Sequence, residues 1–295
     1  MTYSKSNIIN SLKHMGLKEG DICVVRAALR EIGDIEGKRS LTVLDALLET
    51  VTDKGTIIAL SFTNLYKLPL SPKNKKNIFT IKTPPYTGGF VLECLSRTNT
   101  VRSKHPSNSF CAIGKDAVDI LKHHDEKSSS FEPIGEVINK NGKMLLIGNL
   151  YDAPGFTSVH WAQWLLGLST QSKLQGQYGI KYIDVNGEQK LFVRKDFGGC
   201  SKGFAKFYNY YKEAGILSEG KIGDADCLLI NLKDALAIEL PLIKANPNFP
   251  LCENPACQSC RISWKFSDTS STMFLVRNPK LILSSIIKKI RVKHS

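Results

Sequence analysis

The chain has 295 residues, of which 42% are hydrophobic and 23% are charged, and its formal net charge is +13. This length can bury a large core, and eight cysteines are too few for a disulfide scaffold in a chain of this size. There is no run of eighteen apolar residues and no apolar signal core near Met1, so we expect no membrane-spanning helix and a cytoplasmic location.

The positive charge is compatible with three kinds of partner: nucleic acid, a polyphosphate ligand or an anionic membrane surface. Basic residues concentrate in residues 67–82 and 280–293. No zinc-finger, RRM or homeodomain signature accompanies them, so we expect no nucleic-acid binding. The C-terminal tail resembles an apolar helix that becomes basic, which fits either peripheral contact with an anionic membrane or a helix docked on the protein.

The first predicted elements form a strand–helix–strand pattern. Apolar spacing predicts a helix over residues 5–15, a buried strand over 21–26, a helix over 41–51 capped by Ser40, and a second buried strand over 55–60. This order is typical of a parallel βαβ unit, in which ligands bind near the carboxyl ends of the strands.

A long, basic, proline-containing loop follows over residues 64–87, and loops of this length in compact domains are usually functional or mobile. Beyond it, the pattern predicts three helices, over residues 88–97, 115–124 and 133–139. A buried strand over 143–148 and a further helix over 157–166 follow.

After residue 170 the pattern changes. Residues 179–193 predict a β-hairpin with its turn at residues 185–187, and residues 204–214 predict an aromatic helix. A short helix over 234–240 should end at Pro241.

The fold class that follows is α/β, with a mixed or mostly parallel central sheet flanked by helices and an additional C-terminal lobe. We expect a single domain in three parts: an α/β core over residues 1–170, a hairpin and helices on the substrate side over 171–250, and a cysteine-rich segment with the basic tail over 251–295.

The first candidate site is the loop around His105-Pro106. Arg102, Ser103 and Ser109 supply donors that suit an anionic or carbonyl ligand, and the proline fixes a turn. The alternative is a hydrogen-bonded surface loop without a ligand.

The second candidate site is the first turn of the helix over 157–166, where free backbone N–H groups favour anionic ligands. It carries Thr157 and His160, and Gln163 follows on the same helical face. Histidine titrates nearest neutral pH, so His160 is a candidate general base; otherwise it is a half-buried structural histidine.

Three cysteines form a third candidate site with the spacing C-x4-C-x2-C: Cys252, Cys257 and Cys260. This spacing suits a structural zinc site, which normally needs a fourth ligand. Cys200, Cys227 and a partner chain are the candidates for it. Free thiols and a redox role remain alternatives.

Eight motifs occur in a fixed order, in residues 24–33, 41–48, 54–63, 83–88, 102–109, 131–135, 142–148 and 157–160. The most specific are Arg-Ser-Lys-His-Pro-Ser-Asn-Ser over 102–109 and Thr-Ser-Val-His over 157–160. In this order they resemble the aminoglycoside 3-N-acetyltransferase family over about residues 5–240, a family distinct in fold from the GNAT acetyltransferases.

The resemblance implies transfer of an acetyl group from acetyl-CoA to an amine of an amino-sugar. The implied catalytic residues are His160, Thr157 and His105. The implied CoA-binding residues are Arg26, Ala27, Ala28, Gly33, Arg102, Ser103 and Ser109. The candidate substrate-binding residues are Phe62, Thr63, Glu93 and Gln163.

Two departures from the family pattern affect the expected substrate. The family's His-Ser-Ser is Arg26-Ala27-Ala28 here, and its glutamate after the histidine is Gln163, so another carboxylate (Asp152, Glu132 or Glu93) would have to replace it.

These departures favour a divergent enzyme that acylates a nucleotide- or lipid-linked amino-sugar for cell-surface polysaccharide rather than an antibiotic. The alternatives are a catalytically impaired binding or scaffold protein, an aminoglycoside 3-N-acetyltransferase proper, and a different CoA- or folate-dependent acyl or formyl transfer. The sequence leaves open a homo-oligomer.

Overall fold

The computed structural model describes residues 2–152, 154–267 and 269–279. Within these ranges the strands are β1 (Thr2–Tyr3), β2 (Ile22–Ala27), β3 (Asp34–Ile35), β4 (Thr56–Leu60), β5 (Tyr66–Lys67), β6 (Ile78–Phe79), β7 (Val101–Arg102), β8 (Phe110–Gly114), β9 (Lys143–Ile147), β10 (Tyr178–Ile183), β11 (Gln189–Val193), β12 (Leu217–Ile222) and β13 (Ala225–Asn231). The α-helices are α1 (Lys5–His14), α2 (Arg39–Val51), α3 (Gly89–Leu95), α4 (Ala117–Leu121), α5 (Glu132–Asn139), α6 (Ser158–Leu165), α7 (Phe207–Glu213), α8 (Leu232–Ala245), α9 (Gln258–Arg261) and α10 (Ser271–Arg277).

A seven-stranded mixed sheet in the order β12-β13-β9-β2-β4-β8-β7 is the centre of the protein. Its three middle strands, β9, β2 and β4, are parallel, and the strands on both sides of them are antiparallel. The prediction of a mixed or mostly parallel sheet flanked by helices is therefore confirmed. The predicted βαβ unit corresponds to β2, α2 and β4.

The middle strands separate two hydrophobic cores, because successive side chains on a strand point to opposite faces. In β2, Val24 belongs to one core, whereas Cys23 and Val25 belong to the other. Strands buried on both faces in this way appear in the sequence as continuous apolar runs, which is why all three could be predicted.

Two details of the predicted helices are wrong. The N-cap of α2 is Lys38 rather than Ser40, whose hydroxyl instead donates to Glu93 Oε2 at 2.8 Å. Helix α8 does not end before Pro241 but continues to Ala245. Its last turn buries Ile243 completely, and this burial offsets the backbone hydrogen bond that proline cannot donate.

The basic loop over residues 64–87 is more ordered than a plain loop. It contributes β5 and β6 to a small second sheet, in which both strands pair with β10 of the predicted hairpin. The hairpin itself, β10 and β11, is confirmed by its antiparallel pairing.

Strands β12 and β13 were not predicted. Strand β13 pairs with β9 and extends the main sheet, and Cys227 lies on it, opposite Ile147. Among the described residues, no helix is long and apolar enough to span a membrane. Residues 280–295, which include the predicted basic helix and its membrane contact, lie outside the described residues.

Candidate active site

A cavity of about 480 Å³ lies at the carboxyl ends of the parallel strands. It is lined at the end of β2 by residues 25–28, after β4 by Phe62, and after β9 by Gly148 and Asn149. Thr157 and His160 of the α6 region complete this part of the wall. This is where a parallel sheet is expected to bind ligands, because its loops converge at that edge.

His160 has a defined orientation in the cavity wall. Its ring stacks on Phe131 with centroids 4.4 Å apart and meets the edge of Phe204 at 4.8 Å. Its Nδ1 lies 3.2 Å from Oε1 of the buried Gln163. Because a carbonyl oxygen can only accept, Nδ1 carries the proton and Nε2 carries the lone pair.

The electrostatic surroundings keep His160 neutral. Burial lowers its pKa to about 4, and the positive charges of Arg194 and Arg26 act in the same direction. The hydrogen bond with Gln163 and the charge of Asp196 oppose this shift. At neutral pH the imidazole is therefore unprotonated and can accept a proton.

Buried hydrogen bonds hold the start of α6 in place. Thr157 precedes the helix, and its backbone N–H points at Sδ of Met144 at 3.2 Å. Ser158 donates to Oε1 of Glu239 at 2.7 Å, and the hydroxyl of Tyr211 donates to the same oxygen. Burial raises the pKa of Glu239 to about 7, against the effect of both hydrogen bonds.

The predicted CoA-binding segment is only partly in the cavity. Arg26, Ala27 and Ala28 line it, and the Arg26 guanidinium donates to the carbonyl oxygen of Gly155 at 3.0 Å. Gly33 does not line it. This glycine has φ +86°, a backbone conformation that other residues rarely adopt, and a Cβ there would lie 2.2 Å from a carboxylate oxygen of Asp224, so the position favours glycine for a local backbone reason.

Among the predicted substrate-binding residues, only Phe62 lines the cavity, while Gln163 acts through His160. Thr63 is buried and donates to the carbonyl oxygen of Pro106 at 2.6 Å. Glu93 is paired with Lys38, which lowers the pKa of that carboxyl group. The structure therefore does not bring Thr63 or Glu93 to the cavity wall.

Arg102 holds the protein backbone together and does not line the cavity. Its guanidinium donates to the carbonyl oxygens of Ser61 at 3.1 Å and Ile81 at 2.9 Å, and also to that of Thr83. Its Nε donates to the hydroxyl of Ser109 at 3.1 Å, and that hydroxyl donates to the Ser61 carbonyl oxygen at 2.6 Å. These donors are engaged by the protein's own carbonyl groups rather than aimed at a ligand.

His105 and Ser103 also serve the loop rather than the cavity wall. Nδ1 of His105 accepts from the backbone N–H of Asn108 at 3.0 Å, and its ring stacks on His124 at 4.8 Å. Burial lowers the pKa of His105 to about 3. The hydroxyl of Ser103 accepts from the N–H of Phe110 at 2.8 Å. The segment is hydrogen-bonded within the protein, as in the alternative interpretation, but it is buried rather than a surface loop.

Sequence reasoning missed part of the cavity wall. Tyr86, Thr87 and Phe90 line it. Tyr86 and Thr87 lie within the motif over residues 83–88 and Phe90 follows it closely, so this motif could have indicated that the segment is near the site. Ser201 and Phe204 also line it, but no motif marks them.

The three predicted metal-ligand cysteines come together, and a fourth joins them. Sγ atoms of Cys200, Cys252, Cys257 and Cys260 all lie within 4.8 Å of one another. Cys227, the other candidate in the chain, is buried in β13 within the core on the other side of the sheet from Phe131 and Phe204.

Comparison with known proteins gives a consistent result. The family model described as aminoglycoside 3-N-acetyltransferase matches residues 24–242. Aminoglycoside N(3)-acetyltransferase IX of Micromonospora chalcea is 25% identical over 255 residues, covering 77% of this chain and 89% of that protein. The SPbeta prophage-derived aminoglycoside N(3')-acetyltransferase-like protein YokD of Bacillus subtilis is 27% identical over 251 residues, covering 79% and 89%.

Solved structures share the fold. A variant of the aminoglycoside acetyltransferase AAC(3)-IVa in complex with a gentamicin superposes with a TM-score of 0.74 at 22% identity, covering 88% of this chain and 96% of that one. AAC-IIIb in a binary complex with coenzyme A gives 0.72 at 20% identity, covering 83% and 97%. The chain therefore belongs to the aminoglycoside 3-N-acetyltransferase family, whose members are acyl-CoA-dependent N-acetyltransferases.

Proposed function

We propose that this protein transfers an acetyl group from acetyl-CoA to an amine of an amino-sugar in the cavity, with His160 as the general base. The observation that carries the proposal is a neutral imidazole in the cavity wall, with its Nδ1 proton held by Gln163 and its Nε2 lone pair available. A base of this kind is needed because an ammonium group must lose a proton before its nitrogen can attack a thioester.

In the proposed reaction, the amine nitrogen attacks the thioester carbonyl carbon and a C–N bond forms. Nε2 of His160 accepts the first ammonium proton and passes it to solvent before attack. It then accepts the second proton as the C–N bond forms, the C–S bond breaks, and the imidazolium gives this proton to the leaving thiolate, so that an amide and free CoA result. Thr157, directly before α6, lines the same wall and is the second residue that we place at the transfer centre. Phe131 and Phe204 hold the imidazole plane on two sides.

We further propose that the amino-sugar carries a phosphate, as in a nucleotide- or lipid-linked sugar. Arg26 brings a guanidinium into the cavity wall, where the family pattern has histidine. This guanidinium donates to the carbonyl oxygen of Gly155, but its positive charge still favours anionic groups in the cavity and disfavours polycations such as aminoglycosides. The relatives instead support an aminoglycoside as substrate, because the Micromonospora chalcea protein is an aminoglycoside N(3)-acetyltransferase and the AAC(3)-IVa variant binds a gentamicin. A cytoplasmic location would supply acetyl-CoA.

The test is release of free thiol from acetyl-CoA in the presence of two acceptor panels, amino-deoxy nucleotide-sugars and aminoglycosides. Turnover with the first panel alone supports the phosphate-bearing substrate, and turnover with the second alone replaces it with an antibiotic. The same acceptors are also tested with formyl-tetrahydrofolate as the donor, to detect formyl transfer in place of acetyl transfer. Without turnover, calorimetric titration of acetyl-CoA distinguishes a binding protein from a protein that has lost the CoA site.

His160→Ala should lower kcat by about two to four orders of magnitude, as expected for loss of a general base. His123→Ala is the matched control, because it removes an exposed imidazole outside the cavity wall. Unchanged turnover of a folded His160→Ala variant would refute the assignment of the base.

A further inference from the structure

We propose that Cys200, Cys252, Cys257 and Cys260 bind one zinc ion, and that this ion fastens the loop over residues 197–204, which reaches the cavity, to the C-terminal segment. The inference is independent of which substrate the enzyme acylates. It concerns a structural metal far along the chain from His160.

The arrangement of the four sulfur atoms fits the size of a zinc thiolate site. All four Sγ atoms lie within 4.8 Å of one another. A tetrahedral site with Zn–S bonds of about 2.3 Å needs sulfur atoms about 3.8 Å apart, so only small shifts would complete it. All eight cysteines are free, and in the described part of the chain no other three or more His, Cys, Asp or Glu side chains gather their ligand atoms in this way.

Backbone groups already point at the sulfur atoms. The N–H of Lys202 donates to Sγ of Cys200 at 3.4 Å, and the N–H of Cys252 donates to Sγ of Cys260 at 3.4 Å. Donors of this kind stabilise the thiolates that a metal requires and orient them. Four neutral thiols would gain much less from the same donors.

The local chain is also shaped for the site. The N–H of Cys257 donates to the carbonyl oxygen of Asn254 at 3.1 Å, and the N–H of Cys260 donates to that of Cys257 at 3.2 Å. These successive turns bring two ligands to one side of a tight loop. Arg261 closes the loop by donating to the carbonyl oxygen of Cys252.

An apolar shell surrounds the sulfur atoms. Cys260 is fully buried, and Trp264 is 1% exposed and packs against Phe197 at a centroid distance of 5.3 Å. Together with Leu251 and Cys252 these residues form a separate small core. A core this small gives little stability by itself, and a metal is a common way in which small cores are stabilised.

The loop that supplies Cys200 is fitted tightly on both sides. At Gly203 a Cβ would lie 2.4 Å from the carbonyl oxygen of Pro250, so the loop lies directly on the C-terminal segment. At Gly198 a Cβ would lie 3.1 Å from the ring of Phe131, on which His160 stacks. The metal ligand therefore lies between the C-terminal segment and the cavity wall.

This position gives the ion a function beyond local folding. Cys200 comes from the loop, and the other three ligands come from residues 252–260, so one ion would crosslink two distant parts of the chain. Ser201 and Phe204, which line the cavity, follow Cys200 directly. Removing the ion should loosen the wall around the His160 ring without removing any group that reacts.

The first test is the zinc content of protein purified without chelator, measured by mass spectrometry. We expect about one zinc per chain in the wild type and less than a tenth of this in Cys200→Ser. Cys227→Ala is the matched control, because it removes a buried thiol outside the cluster and should keep one zinc. Replacement by cobalt should give the strong visible absorption of a tetrahedral thiolate site.

The second test needs no variant, so misfolding cannot obscure it. A strong chelator should lower the Tm of the wild type and expose residues 197–204 and 250–264 to limited proteolysis, and zinc alone should reverse both effects. Less than a tenth of a zinc per chain in the wild type would overturn the proposal. In that case, eight reactive thiols after unfolding would indicate free cysteines, and fewer than eight would indicate a disulfide. Unaltered Tm and proteolysis after complete zinc removal would overturn the fastening role.

Discussion

Replacement of Glu239 by glutamine should make the protein more stable at alkaline pH. This carboxyl group is fully buried behind α6, and its Oε2 has no hydrogen-bond partner among the described residues. Burial raises its pKa from 4.5 to about 7, so the folded state holds the proton more tightly than the unfolded state. The stability from this group is complete below pH 4.5 and is lost as the pH rises through 7.

The loss can be worked out from the two pKa values. A carboxyl group that titrates at 4.5 in the unfolded chain and at about 7 in the folded one lowers the free energy of unfolding by about 3 kcal/mol once it is fully ionised. About 2.5 kcal/mol of this falls between pH 5 and pH 8, because the unfolded group is already mostly ionised at pH 5. Glutamine keeps the shape and cannot ionise.

Urea unfolding of wild type and Glu239→Gln at pH 5 and pH 8 measures this difference. The free energy of unfolding of the variant, relative to wild type, should rise by about 2.5 kcal/mol from pH 5 to pH 8. Glu213→Gln, which replaces an exposed carboxylate on α7, should show no such change. If the two variants respond alike, Glu239 is ionised in the folded protein at neutral pH and the argument from burial fails.

Two further predictions concern the cavity and its surroundings. Gln163→Glu places a carboxylate 3.2 Å from Nδ1 of His160, so the pKa of that imidazole should rise from about 4 by about one to three pH units; the acidic limb of kcat/KM should move up equally, and an unmoved limb would mean that another group sets it. Arg102→Lys loses the fork of donors to several carbonyl oxygens, so the free energy of unfolding should fall by about 2–4 kcal/mol while KM for acetyl-CoA stays the same; a KM that rises with intact stability would restore Arg102 to the CoA site.

The sheet could be predicted because its middle strands are apolar throughout, as strands buried on both faces must be. The place of the cavity followed from the parallel order of β2 and β4, and residues 26–28, Phe62 and His160 were found there. Strand β13 was not predicted although it is apolar, because periodicity does not distinguish a short apolar strand from a segment of buried helix. Its antiparallel pairing with β9 also leaves no mark in the sequence.

The polar residues were harder to place. Arg102 and His105 have the side chains that a ligand site needs, yet their partners are carbonyl and N–H groups of the protein. Residue type alone does not show whether a polar side chain will bind a ligand or will form hydrogen bonds with backbone groups that folding brings near it. Cys200 was one of several candidates for the fourth metal ligand. Its separation from Cys252 along the chain could not show that folding brings the two residues together.

The bonds of Arg102 have a consequence for how substrates enter. The guanidinium lies over the ring of Phe79 in β6, 5.6 Å from its centroid, and donates to the carbonyl oxygen of Ser61, before the basic loop over residues 64–87, and to that of Ile81 within it. Moving this loop aside would break the hydrogen bonds from Arg102 to the carbonyl oxygens of Ile81 and Thr83, whereas those to Ser61 and Ser109 would remain. We therefore expect loop movement to be costly, so that selection among substrates depends more on the residues that line the cavity than on closure of this loop.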